Sequence, residues 1–541
     1  MLTAFYRWID DNVLELGREM RLSFLPPLMV YMAAGVSGLT GIVGTFFVKE
    51  YLGLPASFLA ALGFWAGIPW ALKMPLGHLV DLLWRWKNGL IYLGAGLIAA
   101  SLLIMVGLLS DRAAMAAIMP AEAWFVLSTL LAPVGYVTQD AVADAMTVEA
   151  VPRVDETGAP INPATRKLMN TTMQTLGRVA IIGGSVLVAV INLYLFAGLH
   201  RLPPVEIALI YRNVYLMALA IPLISVLGVL SAILIRQRDA RRLLRRGYTR
   251  GQVEAMLSRR DEPTPVNWWI LGGSLLFVAF TLSVGLGGMR YSEEIVFVGS
   301  MAIVAFLIVK LTRALEPEAR ATLVGTAIVI FLFRATPGPG AGLTWWMIDE
   351  LGFDQQFLSV LSLIGSVLTL AGMFLFRRFM GERSIAYVVG FLTLAGFVLA
   401  LPIVGLYYGL HHWTAAMTGG WVDARTIVIV DTTLESPLGQ IAMIPMLAWI
   451  ANSAPANLKA TYFAVMASFV NLALSASQLG TKYLNEVFIV TREVKDMATG
   501  LLKVPADYSQ LGDLLVVQVA LGLALPFAAI LLVRWVRLRS A

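Results

Sequence analysis

Asp140 and Asp144 stand four residues apart in an otherwise apolar stretch, Tyr136-Val137-Thr138-Gln139-Asp140-Ala141-Val142-Ala143-Asp144. That spacing puts both carboxylates on one face of a helix. Two carboxylates so close resist being ionised together, so the pair can take up and release a proton. The competing reading is a structural ion pair with a basic residue on a neighbouring helix. Arg178 and Arg334 are the natural counter-charges, and a guanidinium in a cavity can also hold a carboxylate bidentately, which suits a small organic anion. Lys73, two residues before Pro75, is a further substrate-binding candidate, with pairing to an intramembrane acid as its leading alternative. Asp431 and Glu435 repeat the four-residue spacing, and of these Glu435 is the better cavity candidate and joins Asp140 and Asp144 as a proton-coupling residue. Gln139 and Asn471 add polar groups for substrate, and Asn471 opens a stripe with Ser475 and Gln478 whose default use is helix–helix bonding. Glu149, at a span boundary, is expected to pair with a loop Arg or Lys. His411 and His412 have no third ligand in the sequence, and no metal site is expected.

Such residues need a reason to be where they are. The chain has 541 residues, 58% hydrophobic and only 14% charged, with mean hydropathy +0.77. Soluble domains run near ~45–50% apolar and ~25% charged, so a soluble enzyme is excluded. A charged side chain at the centre of a bilayer costs ~2.5–3.5 kcal/mol even on the lenient insertion scale. There is no Cys, which removes thiol catalysis and cysteine metal sites. No nucleophile triad, phosphate loop or cofactor motif is present either, so neither enzymatic activity nor a cofactor is expected.

Fourteen apolar runs read as membrane helices. After an amphipathic N-terminus (1–27), six lie in 28–235 (28–48, 57–80, 89–109, 121–148, 171–197 and 212–235). A basic linker covers 236–267, two runs lie in 268–311, and six fill 321–534 (321–348, 357–376, 384–408, 426–451, 460–483 and 512–534). With both termini cytoplasmic, 27 of the 40 Lys and Arg fall on the inner side, including nine Arg from Arg236 to Arg260. The +6 net charge therefore orients the chain in a membrane, with anionic lipids as the linker's partner and no role for nucleic acid. The expected architecture is an all-α polytopic fold of two six-helix bundles plus a two-helix insert. Gly35, Gly38, Gly41 and Gly44, spaced by three in the first run, offer a thin surface for close packing.

Several stretches resemble the folate–biopterin transporter family of the major facilitator superfamily. Phe46-Phe47-Val48-Lys49-Glu50-Tyr51-Leu52-Gly53-Leu54-Pro55-Ala56, Gly67-Ile68-Pro69-Trp70 and Lys73-Met74-Pro75-Leu76-Gly77 are similar to its first two helices. Asp140-x3-Asp144-Ala145-x3-Glu149 looks like its fourth-helix signature, and Ala335-Thr336-Pro337 with Glu350-Leu351-Gly352-Phe353 and Phe357-Leu358 its seventh-helix region. Ala460-Thr461-Tyr462-Phe463-Ala464, Ser468-x2-Asn471-Leu472 and Asp507-Tyr508-Ser509 fit its last quarter. The resemblance implies a gating loop at Gly77, Asp81 and Arg85, although Leu82 stands where the superfamily places a base directly after the Asp. It also implies an inner-membrane secondary transporter of a small organic anion such as a folate or pterin, coupled to protons or another ion. The alternative is a non-transporting assembly or pigment/lipid delivery factor on the same scaffold.

Overall fold

The structure is a computed structural model that describes residue 10 and residues 15–71, 73–152, 154–155, 159–257, 268–287, 289–313, 316–376, 383–439, 459–495 and 502–538. It is built almost wholly of helices, as the long apolar runs require, because backbone N–H and C=O groups in lipid must be paired within the segment. The long helices are α1 (Leu25–Val36), α2 (Gly41–Tyr51), α3 (Ala56–Ala71), α4 (Lys73–Leu82), α5 (Lys87–Ser110), α6 (Ala121–Ala150), α7 (Pro163–Leu195), α8 (Pro204–Ala218) and α9 (Ala220–Arg245). They continue as α10 (Trp268–Leu286), α11 (Ser292–Thr312), α12 (Pro317–Arg334), α13 (Ala341–Asp349), α14 (Gln355–Leu375), α15 (Ile385–Tyr407), α16 (Ala424–Glu435), α17 (Lys459–Val487) and α18 (Leu511–Trp535). A two-stranded ribbon, β1 (Val494–Lys495) against β2 (Leu502–Val504), joins α17 to α18.

Among the described residues, ten segments are long and apolar enough to cross a membrane. The other four expected spans fall on α10, on α12 with α13, on α16 and on α17. The 426–451 run passes out of the described residues at 440, and the basic linker does so over 258–267. The described part of that linker is helical: α9 runs on through Arg236 to Arg245, and Thr249 and Gln252 cap the next short helix by exchanging backbone–side-chain bonds of 2.9 and 3.4 Å.

Sequence chemistry sets the breaks. Pro26 and Pro27 open α1, where a missing N–H costs nothing. Asp354, Ser384 and Asp423 cap α14, α15 and α16 through the N–H of the residue three further on. Between α12 and α13, Pro337-Gly338-Pro339-Gly340 stops the helix, and Gly340 sits at φ +78°. One row of α17 takes up the freed backbone groups: Ser477 donates to Thr336 O, Gly338 N donates to Thr481 Oγ1, and Asn485 donates to Pro339 O (2.7, 2.9 and 3.3 Å).

Close crossings depend on small residues. A Cβ on Gly35 of α1 would lie 2.1 Å from Ile181 O of α7, and one on Gly184 would meet Gly35 itself. Of the expected glycine row, only Gly35 is pinched this way; Gly38 and Gly41 have no atom within 4 Å among the described residues. Segments before and after the linker also pack together, α3 against α17 and α7 against α14. Gly63 and Gly67 leave room there for Gln478 and Ser475, and Asn471 donates to Trp70 O (3.0 Å).

Candidate functional site

Four helices converge on the first acidic pair. Asp140 and Asp144 lie one turn apart on α6, as their spacing requires, and the ammonium of Lys73, the first residue of α4, reaches both at 2.6 and 2.8 Å. Tyr31 of α1 donates its hydroxyl to the other carboxylate oxygen of Asp144, Oδ1, at 2.7 Å. Gly177 on α7 makes the space for that ring, since a Cβ there would come within 2.9 Å of it. The next residue, Arg178, lies close enough for its charge to act on Asp140 and Tyr31. The side chains of Asp140 and Lys73 are 16% and 20% exposed, but that of Asp144 is 44% exposed, so one carboxylate of the pair opens to solvent. One ammonium shared by two carboxylates leaves one negative charge for a proton, Arg178 or a ligand to balance.

Other sequence candidates have different surroundings. Gln139 faces the helix packing: its amide donates to Ile91 O (3.2 Å) and its carbonyl accepts from Ser225 (2.9 Å), which gives it a structural place between helices. Arg334 ends α12 beside the Pro-Gly break, its Nε buried and without a hydrogen bond, and it makes no ion pair among the described residues. Asp431 is buried with Oδ1 unpartnered among the described residues, whereas Glu435, one turn on, is exposed. Glu149 pairs with Lys87 at 2.8 Å, and Lys87 also lies over the Trp84 ring at 4.3 Å. Gly77 is within α4, and the backbones of Asp81 and Arg85 end that helix and form the following turn; their side chains lie outside the described residues.

A second polar centre lies around the α2–α3 turn. Arg492, 3% exposed and just before β1, donates to the carbonyls of Val48, Lys49, Leu52 and Leu54 at the α2–α3 turn. Its guanidinium lies 4.3 Å from the Trp345 ring of α13. Burial pushes this group down to about 10, which still leaves it charged at neutral pH. Beside it Lys49 forms an ion pair with Asp349, which also accepts from the Tyr508 hydroxyl (2.5 Å). The centre therefore joins chain segments more than 400 residues apart. Sequence reasoning gave Lys49 no role beyond the family-like stretch that contains it, and gave Arg492 and Tyr31 none. An Arg whose partners are backbone carbonyls leaves no mark in residue types, and a Tyr in an apolar run is indistinguishable from packing.

The model of the BT1 family matches residues 34–538. A folate-biopterin transporter of Synechocystis sp. is 30% identical over 184 residues, covering 31% of this chain and 36% of that protein. A putative folate transporter 2 of Plasmodium berghei is 25% identical over 167 residues, covering 30% and 34%. The matched stretches thus span about a third of either relative. Among solved structures, a peptide transporter POT superposes with TM-score 0.58 at 14% identity over 95% of both chains. A nucleoside transporter superposes with TM-score 0.52 at 11% identity over 94% of this chain and 99% of that one. At such identities the likeness is one of fold, and the fold is of the major facilitator type.

Proposed function

The chain belongs to the BT1 family, and from that premise we propose that this multi-pass membrane protein is a secondary active transporter of a small organic anion. A folate or pterin is the favoured cargo, moved by alternating access and coupled to protons. The observation that carries this reading is the Lys73–Asp140–Asp144–Tyr31 cluster, three charged groups within one ion-pair network inside expected spans. Such groups are costly in a bilayer and mark ion or substrate pathways. Protonation of one carboxylate loosens its hold on Lys73, and Arg178 and Arg334 supply cations for the substrate's carboxylates. Asp431 and Glu435 offer a second acidic site on α16. In this reading the 28–235 and 321–534 bundles rock about the crossings of α3 with α17 and α7 with α14, the 268–311 pair stays peripheral, and both termini face the cytoplasm of an inner membrane. The Arg492 and Lys49–Asp349 contacts close the outer end. The names of the two relatives support folate or pterin as cargo.

The test uses proteoliposomes with an imposed pH gradient. Asp144→Asn is expected to abolish gradient-driven uptake while exchange of labelled for unlabelled substrate persists. Gradient-driven uptake at the unmodified rate by that variant would remove Asp144 from coupling.

A further inference from the structure

We propose that the groove between α10 and α11 binds one anionic phospholipid, an acyl chain lying in the groove and the headgroup on Lys310. The groove encloses about 510 Å³ and is lined by Trp268, Trp269, Gly273, Leu276, Ile303 and Phe306, with almost no polar surface. Its walls are not formed by tight packing. A Cβ on Gly285 or Gly299 of the same helix pair would collide with Trp65 or Phe280, so those glycines serve helix contact. Gly272 and Gly273 instead have no atom within 4 Å among the described residues. Two adjacent glycines weaken a helix, and here they clear a channel that no side chain among the described residues fills.

The polar end of the groove carries the charge. Lys310 lies 4.9 Å from the Trp269 ring and 5.5 Å from that of Phe306, which places its ammonium at the mouth. Trp268 and Trp269 are 75% and 65% exposed, as suits indoles at the headgroup level. Arg313 follows one turn later and is exposed. A cation above an apolar channel at the membrane interface matches a phosphate above an acyl chain; a zwitterionic headgroup would bring its own cation against Lys310. This site is separate from the basic linker, because it is built within the helix pair.

The intact protein in nanodiscs containing a small fraction of chain-brominated phosphatidylglycerol or phosphatidylcholine tests this by tryptophan quenching. Half-maximal quenching is expected at about fivefold lower mole fraction of phosphatidylglycerol, the preference one lysine gives near an anionic headgroup. Lys310→Gln should erase the preference with the phosphatidylcholine curve unchanged. Gly272→Leu should lower quenching by both lipids, and the space around Gly272 lets that variant fold. Equal curves for the two lipids in the wild type, or a preference that survives Lys310→Gln, would overturn the proposal. So would a dimer by mass photometry whose interface shields Trp268 and Trp269 from either lipid.

Discussion

Lys73 is the residue on which the acidic cluster depends. It is the sole cation in ion-pair range of both Asp140 and Asp144 among the described residues. Lys73→Met should therefore cost about 3 kcal/mol, the lower end for a buried pair stripped of one partner, because two carboxylates then face each other without a counter-ion. A melting curve of the purified protein checks this, and adding Asp140→Asn to that variant should recover part of the loss. A lone Lys73→Met that melts with the wild type would mean that Arg178 already neutralises the pair. The acids were legible because four-residue spacing fixes a shared helix face whatever the packing, and Lys73 was legible as an expensive charge in an apolar run. Tyr31 was not: its partner lies 113 residues away, and only the crossing of α1 with α6 and α7 brings them together.

At the scale of elements, Gly35 and Asp423 make the sharpest cases. Gly35→Ala should destabilise by about 1–3 kcal/mol, since its Cβ would have to displace the α7 backbone at Ile181. Gly41→Ala, in the same sequence row but in open space, should be neutral or stabilising in the same melt. The sequence row suggested four equivalent glycines; the 3₁₀ turn at Ser37–Thr40 rotates the later ones off the α1–α7 contact. Asp423 caps α16, and the N–H of Thr426 holds its carboxyl below the usual range. The sign follows directly: the cap stabilises fully above the unfolded value of about 3.9 and is lost as pH falls through the lower folded value. Asp423→Ala should thus cost about 1 kcal/mol at pH 7 and little in strong acid, whereas Asp423→Asn should retain most of the cap at both. Equal penalties for Asp423→Ala at pH 7 and in strong acid would show that the charge plays no part. Element positions followed from apolar run lengths, but the division of one run into α12 and α13 depends on Ser477, Thr481 and Asn485 of α17 receiving the broken backbone, a pairing no local pattern announces.

At the scale of the whole molecule, stretches that looked alike only as separate fragments of a family pattern meet in space. Lys49, Val48, Leu52 and Leu54 from the first such stretch, Asp349 beside Glu350 of the seventh-helix stretch and Tyr508 from the last form one polar joint with Arg492. Such a joint must open if the two bundles are to expose a central site to each side in turn. Arg492→Ala removes the bonds that hold the α2–α3 turn and should shift the protein towards the form open at this end, seen as faster thiol labelling of a cysteine placed at Gly53. The chain has no Cys of its own, so single thiols can be placed without background. The same property allows the most direct test of alternating access. Lys49→Cys and Asp349→Cys in one protein, joined by a short reducible bis-thiol linker, would tie this end shut. Saturable uptake of a folate, pterin or related organic anion into proteoliposomes should stop on linkage and return on reduction. Uptake that continues with the linker intact would contradict alternating access through this joint.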